Sequence, residues 1–344
     1  MPLKKSIAPL ALLLALGLVA AACGGGSDTD DTADTDGGTG GTSGTVEVSG
    51  SSTVAPVSTR VAEMFEGVSP DVVVNVDGPG TGDGFALFCE GTTDISDASR
   101  PIKAEEAEAC EAAGIEFIEL KIAIDGLSVI TSDANESVEC LTFADLYALS
   151  GPESQGFENW NDAEAIAAEL GSTTDLPDAP LTISAPGEES GTYDSYVEIV
   201  IEEFNEDRGQ EAQTRPDYQS SADDNVIIQG IQGSDTSFGW VGFAFAQEAE
   251  GVKALEIDGG EGCVAPNPET IASGEYPIAR DLYIYVNVAK MEENPALVEY
   301  VDFYLSDDGI GAVTEVGYVS LTDEALTETR GVWDGRETGT RDGG

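Results

Sequence analysis

Along this chain the hydrophobic pattern switches repeatedly between strand and helix periods, always through a turn of small residues. Thr45-Val46-Glu47-Val48 alternates as a half-buried strand does, and Val72-Val73-Val74-Asn75-Val76 is a short run of the fully buried type. Leu181-Thr182-Ile183-Ser184 makes a third strand. Each leads into a turn and then a helix. Gly50-Ser51-Ser52-Thr53-Val54-Ala55-Pro56 precedes Val57, Val61, Met64 and Phe65 at helical spacing. Gly78-Pro79-Gly80-Thr81-Gly82-Asp83-Gly84 precedes Phe85-Ala86-Leu87-Phe88-Cys89. Ala185-Pro186-Gly187-Glu188-Glu189-Ser190-Gly191-Thr192-Tyr193-Asp194 precedes an apolar helix over 196–204.

The rest of the pattern fills in an α/β chain. Strands are predicted over 115–124 and 127–131, with Asp125-Gly126 between them as a hinge into a second lobe. Helices follow over 142–149 and 162–170, and a further one carries Val226, Ile227 and Ile231. A strand over 281–288, centred on Leu282-Tyr283-Ile284-Tyr285-Val286, returns to the first lobe. A helix over 295–305 comes next, and the chain from Arg336 onward reads as frayed. The expected division is 45–125 plus 283–335 for lobe I, 126–282 for lobe II and 336–344 for the tail.

The three turns carry candidate chemistry. At a strand-to-helix junction several backbone N–H groups lack intrahelical partners, and the positive end of the helix dipole points the same way. Such a corner binds anions. The plainer reading of any one of them is an ordinary Ser/Thr cap. The glycine turn at 78–84 does not meet the dinucleotide fingerprint. Asp94-Ile95-Ser96-Asp97-Ala98-Ser99-Arg100-Pro101-Ile102 adds two hydroxyls and one arginine on a short turn, where a surface ion pair is the plainer reading.

Composition narrows the function. The chain has 344 residues with 66 acidic and 14 basic side chains, a formal charge of −52, and no histidine. That sign excludes a nucleic-acid binder, and the missing histidine excludes Ser-His-Asp and Cys-His catalysis. An excess of acidic over basic residues fits a halophilic-type surface, whose self-repulsion salt screens. Lys4 and Lys5 followed by the apolar stretch 8–22 read as an export signal, too short for a comfortable membrane span. It ends at Ala20-Ala21-Ala22-Cys23-Gly24, which resembles a lipoprotein cleavage box, so Cys23 is the expected lipid attachment point; a plain secretory signal is the alternative. Residues 24–44 are Gly, Ser, Thr and Asp with a single Ala and read as a flexible linker. Four cysteines remain, an even count for an exported chain. Three pairings are open; Cys89–Cys110, close in sequence, with Cys140–Cys263 is the expected one. No metal site is expected.

Taken together, the turns at 50–56 and 80–82, the segment 94–102 and Glu189-Ser190-Gly191-Thr192 resemble the phosphate-binding proteins of phosphate ABC importers, in family order and over about residues 46 to 330. The resemblance implies a two-lobed, type II periplasmic-binding-protein-like α/β fold with two hinge-crossing strands. It implies that Ser52 and Thr53, Thr81, and Ser190, Gly191 and Thr192 line an anion site between the lobes. Two positions depart from the family pattern. Pro186 stands where many members have an arginine, and Ser99 where many have an aspartate. The expectation is that Ser99 and Arg100 also bind the anion, with Arg100 supplying the missing guanidinium from lobe I, and that Asp97 or Asp83 accepts the proton of monohydrogen phosphate. The implied function is an extracytoplasmic solute-binding protein, lipid-anchored to the outer face of the cytoplasmic membrane and monomeric. It would pass inorganic phosphate to a permease, without cofactor or catalysis. Another tetrahedral oxyanion, an acidic surface protein without transport role and a carboxylate-pair glycosidase are the alternatives.

Overall fold

The computed structural model describes residues 42–188 and 190–341. The expected signal over 1–22, Cys23 and the linker up to residue 41 lie outside the described residues, as do Glu189 and residues 342–344.

Twelve strands form among the described residues: β1 (Gly44–Gly50), β2 (Val72–Asp77), β3 (Ile95–Ala98), β4 (Phe117–Ser132), β5 (Cys140–Thr142), β6 (Thr182–Ala185), β7 (Gln219–Ser220), β8 (Ser237–Gly242), β9 (Val252–Ala254), β10 (Glu256–Asp258), β11 (Cys263–Val264) and β12 (Ala279–Asn287). One sheet runs β2-β1-β3-β12-β4-β8-β6-β7, with β9 added on β4; β11, β10 and β5 make a small second sheet. At one end β1 lies parallel to β2 and β3, and at the other β6 lies parallel to β7 and β8. Between these ends β12 and β4 run antiparallel to each other, to β3 and to β8. Parallel pairs need crossovers, and helices supply them. Helix α1 (Ala55–Glu66) links β1 to β2, and α2 (Thr81–Cys89) links β2 to β3. Helix α3 (Ala104–Ala113) precedes β4.

Two large apolar cores divide the molecule. One gathers Val46, Val57, Phe65, Ile118, Leu120, Val286, Leu297 and Trp333. The other gathers Leu127, Val129, Trp160, Tyr196, Trp240 and Ile278. β4 and β12 pass between them as two crossing strands, and Leu321, after the chain has returned to the first core, packs on the second. Along β4, Leu120, Ile122 and Ala123 belong to the first core, and Ile124, Leu127 and Val129 to the second.

Several expected boundaries move. Asp125-Gly126 does not interrupt the strand: Asp125 pairs with Arg280 and Gly126 with Ala279 on β12, and Leu127 already pairs with Gly242 on β8. The ladder changes partner without a gap, so no turn forms. The helix expected over 196–204 begins at Gly191 and contains a π-helical segment, Val197–Ile201, before ending in Glu202–Asn205. β1 begins at Gly44, opposite Val72, so the last residue assigned to the linker belongs to the sheet. The tail is held as far as residue 341. Gly339 bridges Ile118, and the Arg341 N–H donates to Glu119 Oε1 at 2.8 Å.

Both expected disulfides form, Cys89–Cys110 and Cys140–Cys263. The first ties α2 to α3 in lobe I; the second ties β5 to β11 across the small sheet of lobe II.

Candidate anion site between the lobes

The first turn divides its labour by residue. Ser51 does the capping: its Oγ accepts the N–H groups of Thr53 and Val54 at 3.2 and 3.4 Å. The side chains of Ser52 and Thr53 are thereby left to face the other lobe. Ser52 Oγ donates to Asp194 Oδ2 at 2.7 Å, and Thr53 Oγ1 accepts from Arg280 Nη2 at 3.0 Å. The turn is pinned from behind. The Ser51 N–H donates to the Asp97 carbonyl at 2.8 Å, and the Tyr318 hydroxyl donates to the Thr53 carbonyl at 2.8 Å.

The second turn starts α2 at Gly80, whose φ of 115° suits glycine, and no side chain caps it. Thr81 Oγ1 meets Ser99 Oγ at 3.0 Å and accepts the Ser99 N–H at 3.3 Å. These two buried hydroxyls join the second turn to the segment after β3. At the third turn Ser190 is the cap, its Oγ accepting the Thr192 N–H at 3.2 Å. The first and third turns touch: a Cβ added at Gly191 would lie 3.4 Å from Thr53 Cα. Ser52 and Thr53 therefore lie against the start of the lobe II helix, where Asp194 takes the Ser52 hydroxyl and Gly191 abuts Thr53. Thr81, Ser99 and Arg100 line the adjoining cleft of about 760 Å³, together with Arg280.

The guanidinium at the centre of this arrangement is Arg280, not Arg100. Arg100 donates to Glu106 through both amino groups, each at 2.8 Å, so the surface-pair reading describes it. Glu106 also accepts the Lys103 N–H and so belongs to the start of α3, which holds the pair in place. Arg280 enters from β12, where the chain crosses between lobes, and its side chain is only 11% exposed. Its Nη2 donates to Thr53 Oγ1 in lobe I and to Ser195 Oγ of lobe II at 2.5 Å. Its Nη1 pairs with Glu198. Its Nε has no hydrogen-bond partner among the described residues; Asp125 Oδ2 lies 3.6 Å away. Asp125 is itself buried and accepts from Ser195 Oγ at 2.6 Å. Burial pushes the Asp125 carboxyl up from its usual range, against the pull of the Arg280 charge and of Ser195. Burial likewise lowers Arg280, opposed chiefly by Asp125.

The two carboxylates expected to read a proton fall elsewhere. Asp97 is fully buried behind the first turn, where Ser58 Oγ donates to it at 3.0 Å, and it does not line the cleft. Asp83 is exposed on the cleft rim. Asp194, in the first turn of the lobe II helix, is the carboxylate that meets the first turn directly. Arg280 carried no local sign of its role in sequence. It is an arginine at the start of an apolar strand, and the one available cue was that this strand crosses the hinge.

A family model described as a PBP superfamily domain matches residues 35–308. Protein SphX of Synechocystis sp. is 36% identical over 99% of this chain and 93% of its own length. The phosphate-binding protein PstS of Staphylococcus saprophyticus is 31% identical over 93% and 92%. Among solved structures, a possible phosphate binding protein from Planctomyces limnophilus superposes with a TM-score of 0.76 at 36% identity, over 86% of this chain and 99% of that one. A putative phosphate ABC transporter substrate-binding protein with bound phosphate, from Clostridium perfringens, gives 0.52 at 28% identity, over 81% and 100%. With two lobes, two crossing strands and these relatives, the chain belongs to the PBP superfamily and to the family that contains SphX and PstS.

Proposed function

We propose that this chain is an extracytoplasmic receptor for inorganic phosphate, which closes on the anion between its lobes and delivers it to the permease of an ABC importer. The observation that carries the reading is Arg280, buried at the crossing strands and shared between a hydroxyl of each lobe. An arginine so placed offers planar, charge-assisted donors to an oxyanion. Ser52, Thr53, Thr81, Ser99, Ser190, Gly191 and Thr192 add neutral hydroxyl and N–H donors. Asp194 takes the part expected of Asp97 or Asp83, accepting the proton that monohydrogen phosphate carries and sulfate lacks. The names of the relatives point the same way: the PstS proteins are phosphate-binding, and the Clostridium perfringens structure holds phosphate.

The protein acts as a receptor, since the polar groups gathered around Arg280 are placed to donate to an oxyanion. It works as a monomer. Cys23 tethers it to the outer face of the membrane; no helix among the described residues is long and apolar enough to cross one.

Titration calorimetry with phosphate and sulfate tests the reading. Phosphate binds and sulfate competes weakly; Asp194→Asn narrows the difference, and Thr192→Val weakens phosphate. Equal binding of both anions by the wild type removes Asp194 from its role, and no binding of phosphate overturns the function.

A further inference from the structure

One guanidinium at the lobe junction is surrounded by three carboxylates. Asp125 lies against Arg280 Nε, Glu198 pairs with Nη1, and Asp194 is close enough to act on the Arg280 charge. A dianion brought into such a group meets more negative charge than positive, and at these distances that repulsion is large. Binding therefore requires one carboxylate to leave. Asp125 cannot: it is 2% exposed, lies on β4 and is held by Ser195. Asp194 is engaged by Ser52. Glu198 differs on each count. Its side chain is 40% exposed, and its one partner among the described residues is Arg280. It also sits in the π-helical segment Val197–Ile201, a kind of local irregularity that recurs at functional sites.

Resting on the phosphate reading above, we propose that Glu198 is a built-in competitor for the ligand. Its carboxylate holds the edge of Arg280 that an oxygen of the anion takes, and it swings into the cleft when the anion arrives. A carboxylate and a phosphate present similar oxygens to a guanidinium, so the two compete for the same donors. The exchange keeps a buried arginine paired at every stage and sets affinity below the value the donors alone would give. It also speeds release, because Glu198 returns as the anion departs.

The test is phosphate affinity by calorimetry for wild type, Glu198→Gln and Glu202→Gln, at low salt and in 1 M KCl. Glu202 lies one turn on, lines the same cleft, and makes no ion pair among the described residues. Glutamine at 198 keeps the shape but no longer competes as an anion, so affinity rises about two- to fivefold, the range one partly exposed ion pair is worth. The gain persists in 1 M KCl, because a contact pair is screened less than distant charges. Glu202→Gln gives a smaller gain that vanishes in salt. Unchanged or weaker affinity in Glu198→Gln overturns the competitor role alone, as does an equal, salt-sensitive gain in both variants. An absence of phosphate binding in all three proteins overturns the phosphate reading, and this inference with it.

Discussion

Two arginines show how neighbours decide a residue's role. Arg100 follows two hydroxyls on a turn at the cleft, yet Glu106 engages both of its amino groups. Arg280 has no flanking motif, but it stands where both lobes meet. Truncating one partner of a buried charged group costs about 2–5 kcal/mol. Arg280→Gln is therefore expected to weaken phosphate binding by about thirtyfold or more, and Arg100→Gln by less than about fivefold, since Glu106 already engages both of its amino groups. Calorimetry on the two variants checks the ordering, and a reversed order returns the role to Arg100. Asp97 carries a different consequence. Burial pushes its carboxyl up to about 7, with the Ser58 hydrogen bond opposing, and Oδ2 has no partner among the described residues. Between the unfolded value near 4 and about 7, the folded state holds a proton that the unfolded state has lost. This contribution to stability is therefore largest at low pH and falls as pH rises through that window. Asp97→Asn removes this dependence. Melting scans from pH 5 to 8 should show wild type losing stability relative to the variant, and parallel curves would refute the shift.

Elements meet at close quarters where the turns are built. A Cβ added at Gly84 on α2 would lie 2.4 Å from Gly50 Cα, and one at Gly50 would lie 2.0 Å from the Asp97 carbonyl oxygen. The first two turns are thus set side by side by backbone contact, which only glycine permits. Gly84→Ala forces them apart. It is expected to cost about 1–3 kcal/mol of stability, as overpacking does, and to weaken anion binding as well. Urea unfolding with calorimetry measures both, and a variant matching wild type in each would show that the contact relaxes freely. The uninterrupted β4 is the other decision at this scale. Asp125 and Gly126 look like a turn in isolation, but their peptide groups are paired with β12, so the crossing is a continuous strand between two cores rather than a loop.

Over the whole molecule, charge and covalent links set the terms. A formal charge of −52 makes the compact state repel itself, and salt relieves this. The melting temperature is expected to climb as KCl rises from low to about 1 M, within the range where screening shortens to a few ångströms. Phosphate association should quicken over the same range, because the anion approaches a surface of its own sign. A melting temperature indifferent to salt would mean that these charges are already balanced by the fold.

What could be read without coordinates was local. Period changes announce strands and helices because side-chain direction repeats every two or every 3.6 residues. Small hydroxyl residues at three strand-to-helix corners announced donors, since helix starts always leave N–H groups over. Count and closeness in sequence favoured the cysteine pairing that forms but left two others open. Tertiary structure decided the rest. Whether Ser51 or Ser52 caps, whether Arg100 or Arg280 joins the lobes, and whether Asp97 or Asp194 meets the first turn's Ser52 depend on which distant segments lie alongside. Residues 53, 125, 195 and 280 become neighbours only when β4 and β12 carry two separately packed cores into contact, and no local pattern records that.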